Sequence, residues 1–486
     1  MNFEKERISE ILFSSLVKQR DAIVEGQITS AELVRAYISR IAKINDELNI
    51  VIRKNFSKAL VRAQELDEYL ASQKTPIGPL HGVPFTIKDA FRIKHVFTSY
   101  GFPGFNFIPA FDSCTIVDQL ISAGAVFLGQ TNVPLSCFDW QTNSPIYGLT
   151  RNPLNPERTV GGSSGGSAAS VAAFFTPFEV GSDVAGSIRY PAHCCGVYGL
   201  RPTHNFVRFD DIGPMLHKKS FSSLAVAGPM ARSIEDIELA LQVLTGTTAT
   251  IQRKDKLKIA YTLKWSDITA DEKSERLISQ FIEKAKLAGH GLILVDPKID
   301  FNFCLKIWGI ILGYEYKSMI PAPFKYRPLI DIFNYFFNTR RFRNGPFKDA
   351  FQEGLLSSRA KYESALKDGE QLRDLYHRTF QDYDLWLTPV SVAEAIPHQK
   401  TGSSQTLRGT QIDYATFLGH FLTSTALFHH PILVAPIGSK ELGLPIGIQL
   451  HGKSGQDWQL LSDCSKLTDL FYRIQPMDSK NEGVER

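Results

Sequence analysis

Apolar residues recur at helical spacing from early in the chain. After Thr29-Ser30-Ala31-Glu32, a capping-box pattern, Leu33, Val34, Tyr37, Ile38 and Ile41 fall on one face of a predicted helix. A second helix is predicted over roughly Phe56–Ser72. Pro76, Gly78, Pro79 and Gly82 then break the pattern. Beyond them the periodicity alternates. Val83–Ile87 reads as a short strand ending at Lys88, Thr115–Ser122 as a helix stopped by Gly124, and Ala125–Leu128 as a strand. Ser233–Leu244 reads as a helix with a serine cap and Gly246 behind it. A strand over Leu257–Thr262, a helix over Glu275–Ala288 and a strand over Leu292–Val295 follow. This alternation predicts an α/β fold around a parallel or mixed sheet.

Two stretches depart from the alternation. The first, Arg158–Thr203, holds two glycine-flanked serine clusters. One is Gly161-Gly162-Ser163-Ser164-Gly165-Gly166-Ser167, the other Gly181-Ser182-Asp183-Val184-Ala185-Gly186-Ser187-Ile188-Arg189, and a small-residue helix is predicted between them over Ala168–Phe175. Glycine has no Cβ, so such loops turn tightly and let the backbone approach a ligand. A serine placed there is reachable and surrounded by N–H groups, two requirements of acyl transfer. A flexible linker would not carry Asp183 and Arg189 in an apolar context. A phosphate loop is disfavoured, because no Gly-Lys-Ser/Thr ends either cluster.

The second stretch, about Phe301–Tyr376, is dense in aromatics (Phe324, Tyr326, Phe333, Tyr335, Phe336, Phe337, Phe342, Phe347) with Arg340, Arg341 and Arg343 among them. A helical subdomain with aromatics in its core is the first expectation. An apolar wall of a substrate pocket, or a patch that touches a membrane or partner, is the other. Nothing in the pattern places Tyr414, Phe417 or Trp308 relative to such a pocket.

Composition narrows the function classes. The chain has 486 residues, 43% hydrophobic and 21% charged, with a net charge of +4 and no long basic block, so a nucleic-acid partner is not expected. The N-terminus is charged from its fourth residue and lacks the apolar core of a signal peptide. No apolar run reaches the length of a transmembrane helix, so no integral membrane segment is expected. Six scattered cysteines form no disulfide framework and no zinc-ligand spacing. Cytoplasmic residence follows as the default, and the polar tail after Asp478 is expected to fray.

The residues of the serine clusters carry a resemblance. Ser187 follows Ser163 by 24 positions, and His81-Gly82-Val83-Pro84-Phe85-Thr86-Ile87-Lys88-Asp89 places Lys88 75 positions before Ser163. Asp139-Trp140-Gln141-Thr142-Asn143 with Arg151-Asn152-Pro153, Gly228-Pro229-Met230-Ala231-Arg232 and Leu444-Pro445-Ile446-Gly447-Ile448-Gln449-Leu450 agree with it. In these blocks the chain resembles the amidase signature family, serine hydrolases with a Ser–Ser–Lys triad. The resemblance implies one amidase domain over 1–486, an α/β/α sandwich around a large mixed sheet. Its parts would be a helical N-terminal region (1–75), a signature core (76–245) and a variable substrate side (about 301–430).

The resemblance also implies roles. Ser187 would attack an amide carbonyl, Ser163 would bridge, and a neutral Lys88 would be the base, with a cis peptide bond at Gly162–Ser163. Lysine titrates near 10.4 when free, and burial after Val-Pro-Phe-Thr-Ile would lower that. The backbone N–H groups of Val184, Ala185, Gly186 and Ser187 would form the oxyanion hole, and Ser164, Ser182, Asp183 and Arg189 would support the loop. Ala185 stands where the family more often has glycine, and a methyl group there conflicts with any positive φ. Leu135 stands where the family commonly has glutamate, and reads as a change in packing. His193, six positions after Ser187, reads as structural.

No cofactor and no metal is implied. The expected partner is a small-molecule amide, and a homodimer is an allowed assembly. A stand-alone amidase is preferred to the A subunit of a glutamyl-tRNA amidotransferase. That protein usually has glutamine where Tyr190 stands here, and charged partners for glutamine's amino-acid group are not identifiable. An inactive binding protein on the same fold is the remaining alternative. It would be favoured if Lys88, Ser163 or Ser187 were replaced, and all three are present.

Overall fold

The computed structural model describes residues 2–103, 109–209, 223–319, 345–438 and 443–476. At its centre is an eight-stranded mixed sheet. From edge to edge it runs Gly291–Leu294, Lys258–Tyr261, Leu385–Pro389, Ile446–His451, Ile432–Ile437, Tyr198–Arg201, Val226–Ala231 and Phe178–Asp183. The first three pair in parallel and every later pairing is antiparallel. A second sheet places Val126–Thr131 between Val51–Lys54 (antiparallel) and Pro84–Lys88 (parallel). Side chains join the two sheets: Thr86 Oγ1 donates to Glu179 Oε1, and the Phe85 and Phe178 rings stack at 6.2 Å.

Local signals explain where the predicted elements stand. The capping box at Thr29 forms in full, starting the helix Ser30–Leu48. Thr115–Ser122 and Ile234–Thr245 lie where the periodicity placed them, the latter capped by Ser233 and ended by Gly246 in the left-handed region. The helix predicted from Glu275 begins at Glu272, because Asp271 accepts a hydrogen bond from Ser274 N and caps it three residues earlier. The helix predicted over Ala168–Phe175 is Gly165–Ala172 instead. Its first turn presses on Asn132 so closely that a Cβ at Gly166 would lie 2.5 Å from backbone atoms of Asn132, and only glycine fits there.

Region 1–75 is not wholly helical. Val51–Lys54 is a strand between its helices. The long run of strands in the C-terminal third also lacks a readable pattern. Ile432–Ile437 and Ile446–His451 are buried at every position, so no alternation of polar and apolar residues marks them.

The aromatic stretch is helical where it is described, with helices Phe301–Met319, Pro346–Leu356 and Arg359–Phe380. Trp308 meets Phe347 edge to face at 5.8 Å, and Phe347 meets Trp140 likewise at 5.9 Å. The first two of these helices are thereby locked against the Asp139–Trp140 segment by aromatic packing. Phe324, Tyr326, Phe333, Tyr335, Phe336, Phe337, Phe342, Arg340, Arg341, Arg343 and the polar tail lie outside the described residues.

Candidate active site

Three loop ends converge at the junction of the two sheets. Lys88 is the last residue of Pro84–Lys88, a strand buried at every position. Ser163 and Ser164 precede the helix Gly165–Ala172, with a cis peptide bond at Gly162–Ser163. Ser182 and Asp183 end the strand Phe178–Asp183, and Ser187 lies in the turn before the helix Arg189–Cys195. The Lys88 side chain has no solvent exposure. Its Nζ lies 2.8 Å from Ser163 Oγ, 2.9 Å from Ser164 Oγ and 2.9 Å from Ser182 Oγ. Burial pushes the Lys88 ammonium below its usual range, while Cys137, Asp183 and Glu179 act in the opposite sense.

Ser164 and Ser182 brace this arrangement. Ser164 Oγ accepts from Ser182 N at 3.3 Å and donates to Ser182 O at 3.3 Å. Ser164 N also donates to Ser187 O at 3.2 Å, which ties the two serine loops by their backbones.

The turn that carries Ser187 is organised by Asp183. Its Oδ1 accepts from Gly186 N at 2.9 Å, and its Oδ2 from Ile188 N at 3.1 Å and Arg189 N at 3.4 Å. The Arg189 guanidinium grips the same carboxylate in a fork, Nε to Oδ2 and Nη2 to Oδ1, both at 3.0 Å. Arg189 then reaches Thr425 Oγ1 at 2.6 Å, Gln449 Oε1 at 2.8 Å and Leu422 O at 2.9 Å. Burial alone would raise the Asp183 carboxyl, but Arg189 and Arg201 outweigh it and hold the group well below the usual carboxylate range.

Two details revise the reading of this turn. The positive φ falls on Gly186 (98°), with Leu422 packed against it, and not on Ala185. The Ala185 methyl is therefore unstrained, and Ala185 O accepts from Trp140 Nε1 at 3.0 Å. The N–H of Gly186 donates to Asp183 Oδ1. The N–H groups of Val184, Ala185 and Ser187 have no acceptor among the described residues.

Ser163, Ser182, Val184, Ala185 and Ser187 line a common cavity. Much of the remaining lining is aromatic, including Trp140, Trp308, Tyr316 and Tyr414. Periodicity could not have found these residues, since they come from segments far apart in sequence. Trp308 and Tyr414 thus face the cavity, whereas Phe417 belongs to the buried core. Leu135 opens a short turn in which Ser136 and Cys137 adopt left-handed backbone and present to the cavity. Asp139 lies in the same lining. Its Oδ1 accepts from Tyr414 OH at 2.8 Å and its Oδ2 from Thr401 Oγ1 at 2.6 Å.

The histidine nearest in sequence is occupied elsewhere. His193 Nδ1 accepts from Gly447 N at 2.9 Å, so its Nε2 donates to Ala393 O at 3.0 Å. Burial pushes its pKa down to about 4. Tyr190 is buried and stacks on His193 at 5.7 Å, outside the lining of the cavity.

A sequence profile described as Amidase matches residues 32–461. The chain belongs to the amidase signature family. The enzyme is a hydrolase acting on amides. It is 28% identical over 484 residues to an amidase of Gibberella moniliformis, covering 92% of this chain and 86% of that one. It is 32% identical over 478 residues to the A subunit of the glutamyl-tRNA(Gln) amidotransferase of Alkaliphilus metalliredigens, covering 91% and 93%. Among solved structures, a fatty acid amide hydrolase shares the fold with a TM-score of 0.80 at 22% identity, covering 96% of this chain and 86% of that one. No described helix is long and apolar enough to cross a membrane.

Proposed function

We propose that this amidase acts without partner subunits on amides with an apolar or aromatic acyl group, through an acyl-enzyme on Ser187. The observation that carries this reading is a fully buried Lys88 within 2.8 Å of Ser163, in a cavity that Ser187 also lines. A neutral amine has two N–H donors and one lone pair. Ser164 spends its own proton on Ser182 O and so accepts from Lys88. The two hydroxyls that remain near Nζ are Ser163 and Ser182, and the proposed relay gives the lone pair to Ser163.

In the proposed sequence, Ser187 Oγ forms a bond to the amide carbon. Its proton passes to Ser163 Oγ, and the Ser163 proton passes to Lys88 Nζ. The carbonyl oxygen takes the negative charge and is met by the N–H groups of Val184, Ala185 and Ser187. Collapse breaks the C–N bond, and the proton returns from Lys88 through Ser163 to the leaving nitrogen. Water then repeats the addition on the acyl-enzyme and releases the acid.

The amidotransferase reading is weaker on one observation. Free glutamine presents both an ammonium and a carboxylate, and the described lining offers an anion, Asp139, but no cation. The test is hydrolysis of a panel of aryl, fatty-acyl, peptide and glutamine amides by the purified protein alone, with Ser187→Ala as control. Serine-dependent turnover of a non-glutamine amide is expected. Turnover of glutamine alone, or none until partner proteins are added, overturns the proposal.

A further inference from the structure

We infer that Asp139 is a specificity residue that selects amides bearing a second, protonated amino group. The inference rests on the reading of this cavity as the amide site. Asp139 is the only formally charged residue among the described lining, in a wall that is otherwise aromatic, aliphatic, hydroxylic or, at Cys137, a thiol. Asp139 is half-buried and lines the cavity, so a bound ligand can meet its carboxylate there.

Its two partners do not neutralise it. Gln141 Nε2 donates to Tyr414 OH at 3.1 Å, which directs the tyrosine proton to Asp139 Oδ1. Thr401 supplies a second hydroxyl proton, to Oδ2. Both contacts suit an ionised, acceptor-only carboxylate, and each oxygen retains a further lone pair. No lysine, arginine or histidine of the described residues pairs with it. The carboxylates that act on Lys88 are Asp183 and Glu179, so the base has its own counter-charges. What Asp139 lacks is a cation, and the cavity it lines is where a ligand would bring one. Trp140 and Tyr414, whose rings lie 6.4 Å apart, would flank that cation with electron-rich faces.

A purely structural role would make Asp139 a bracket between its own segment and the Thr401 and Tyr414 segments. Substrate ratios separate the two roles, because generic damage lowers both members of a pair alike. In the acyl arm, ω-aminopentanoyl p-nitroanilide is compared with hexanoyl p-nitroanilide. In the leaving-group arm, mono-acylated diaminobutane is compared with the matching N-pentyl amide. The wild-type enzyme is expected to favour the amine-bearing member of at least one pair by about 10- to 100-fold in kcat/KM. Asp139→Asn is expected to bring that ratio to about one, with most of the change in KM.

Calorimetric binding of pentylammonium against pentanol to the wild-type protein needs neither turnover nor a variant, and the ammonium is expected to bind more tightly. Equal or reversed preference in both arms, a ratio that survives Asp139→Asn, or equal binding of the two ligands overturns the inference. Failure of a fluorophosphonate to label wild-type Ser187 would instead count against the acyl-enzyme, and leaves the binding comparison decisive for Asp139.

Discussion

The hydroxyl layer around Lys88 and the aromatic wall of the cavity are built on different plans. Lys88, Ser163, Ser164 and Ser182 lie within 94 positions of one another, sit at strand and helix ends, and meet at the Lys88 Nζ. The wall is assembled from Trp140, Trp308, Tyr316 and Tyr414, which belong to separate loops and helices and meet only after the chain is folded. The first region requires given atoms at given distances. The second requires apolar surface of a given shape, which many residue combinations can supply. Under the proposed mechanism, chemistry is concentrated in motifs while selectivity is dispersed.

If that division holds, the two regions respond differently to substitution. The largest effect is expected in the hydroxyl layer. Lys88→Ala should lower kcat/KM for every amide by about 10²- to 10⁴-fold, the usual contribution of a general base, with an unchanged circular-dichroism spectrum. Near-normal turnover would place the base elsewhere. Asp183→Asn should cost about 3 kcal/mol in chemical denaturation, because it leaves the Arg189 guanidinium buried without its charge partner. Substitution in the wall should be milder and substrate-dependent. Trp308→Ala is expected to lower kcat/KM about tenfold for long acyl amides and less for acetamides, by loss of apolar contact. A uniform loss across acyl lengths would erase the distinction between the regions.

The smallest effect sharpens the electrostatics of the hydroxyl layer. Glu179 accepts from Thr131 Oγ1 at 2.8 Å, is fully buried, and is pushed by that burial from its ordinary value of 4.5 to about 7. Between these values the folded protein keeps a proton that the unfolded chain releases, so stability falls as pH rises from 4.5 to about 7. Glu179→Gln removes this term. Its melting temperature relative to wild type should climb across that interval and level off above it. A constant difference would mean that Glu179 titrates normally.

The sequence displayed these regions unequally. The helix at Ser30 was legible from its capping box and periodic face, and the serine loops from their glycines. Those loops were legible because the turn demands glycine at Gly186 and the close approach demands it at Gly166. That the Gly186 N–H donates to Asp183 is not legible in the sequence, because the pairing depends on the fold of the turn. The strand Val51–Lys54 went unread at four residues' length, and Ile446–His451 because both its faces are buried. Asp139 stood in a motif noted for its resemblance, yet its charge acquires meaning only against neighbours such as Trp308 and Tyr414, more than 150 residues away in sequence.

The anchoring of Arg189 has a consequence for the life of the polypeptide. Its guanidinium is held by Thr425 and Gln449, 236 and 260 residues downstream. During synthesis, Lys88 and every serine of the layer emerge from the ribosome long before those anchors exist. A nascent chain, or one cut short before Thr425, carries that turn with its local ties to Asp183 but without the far anchors of Arg189. The full bracing of the turn therefore waits for residues more than 230 positions downstream.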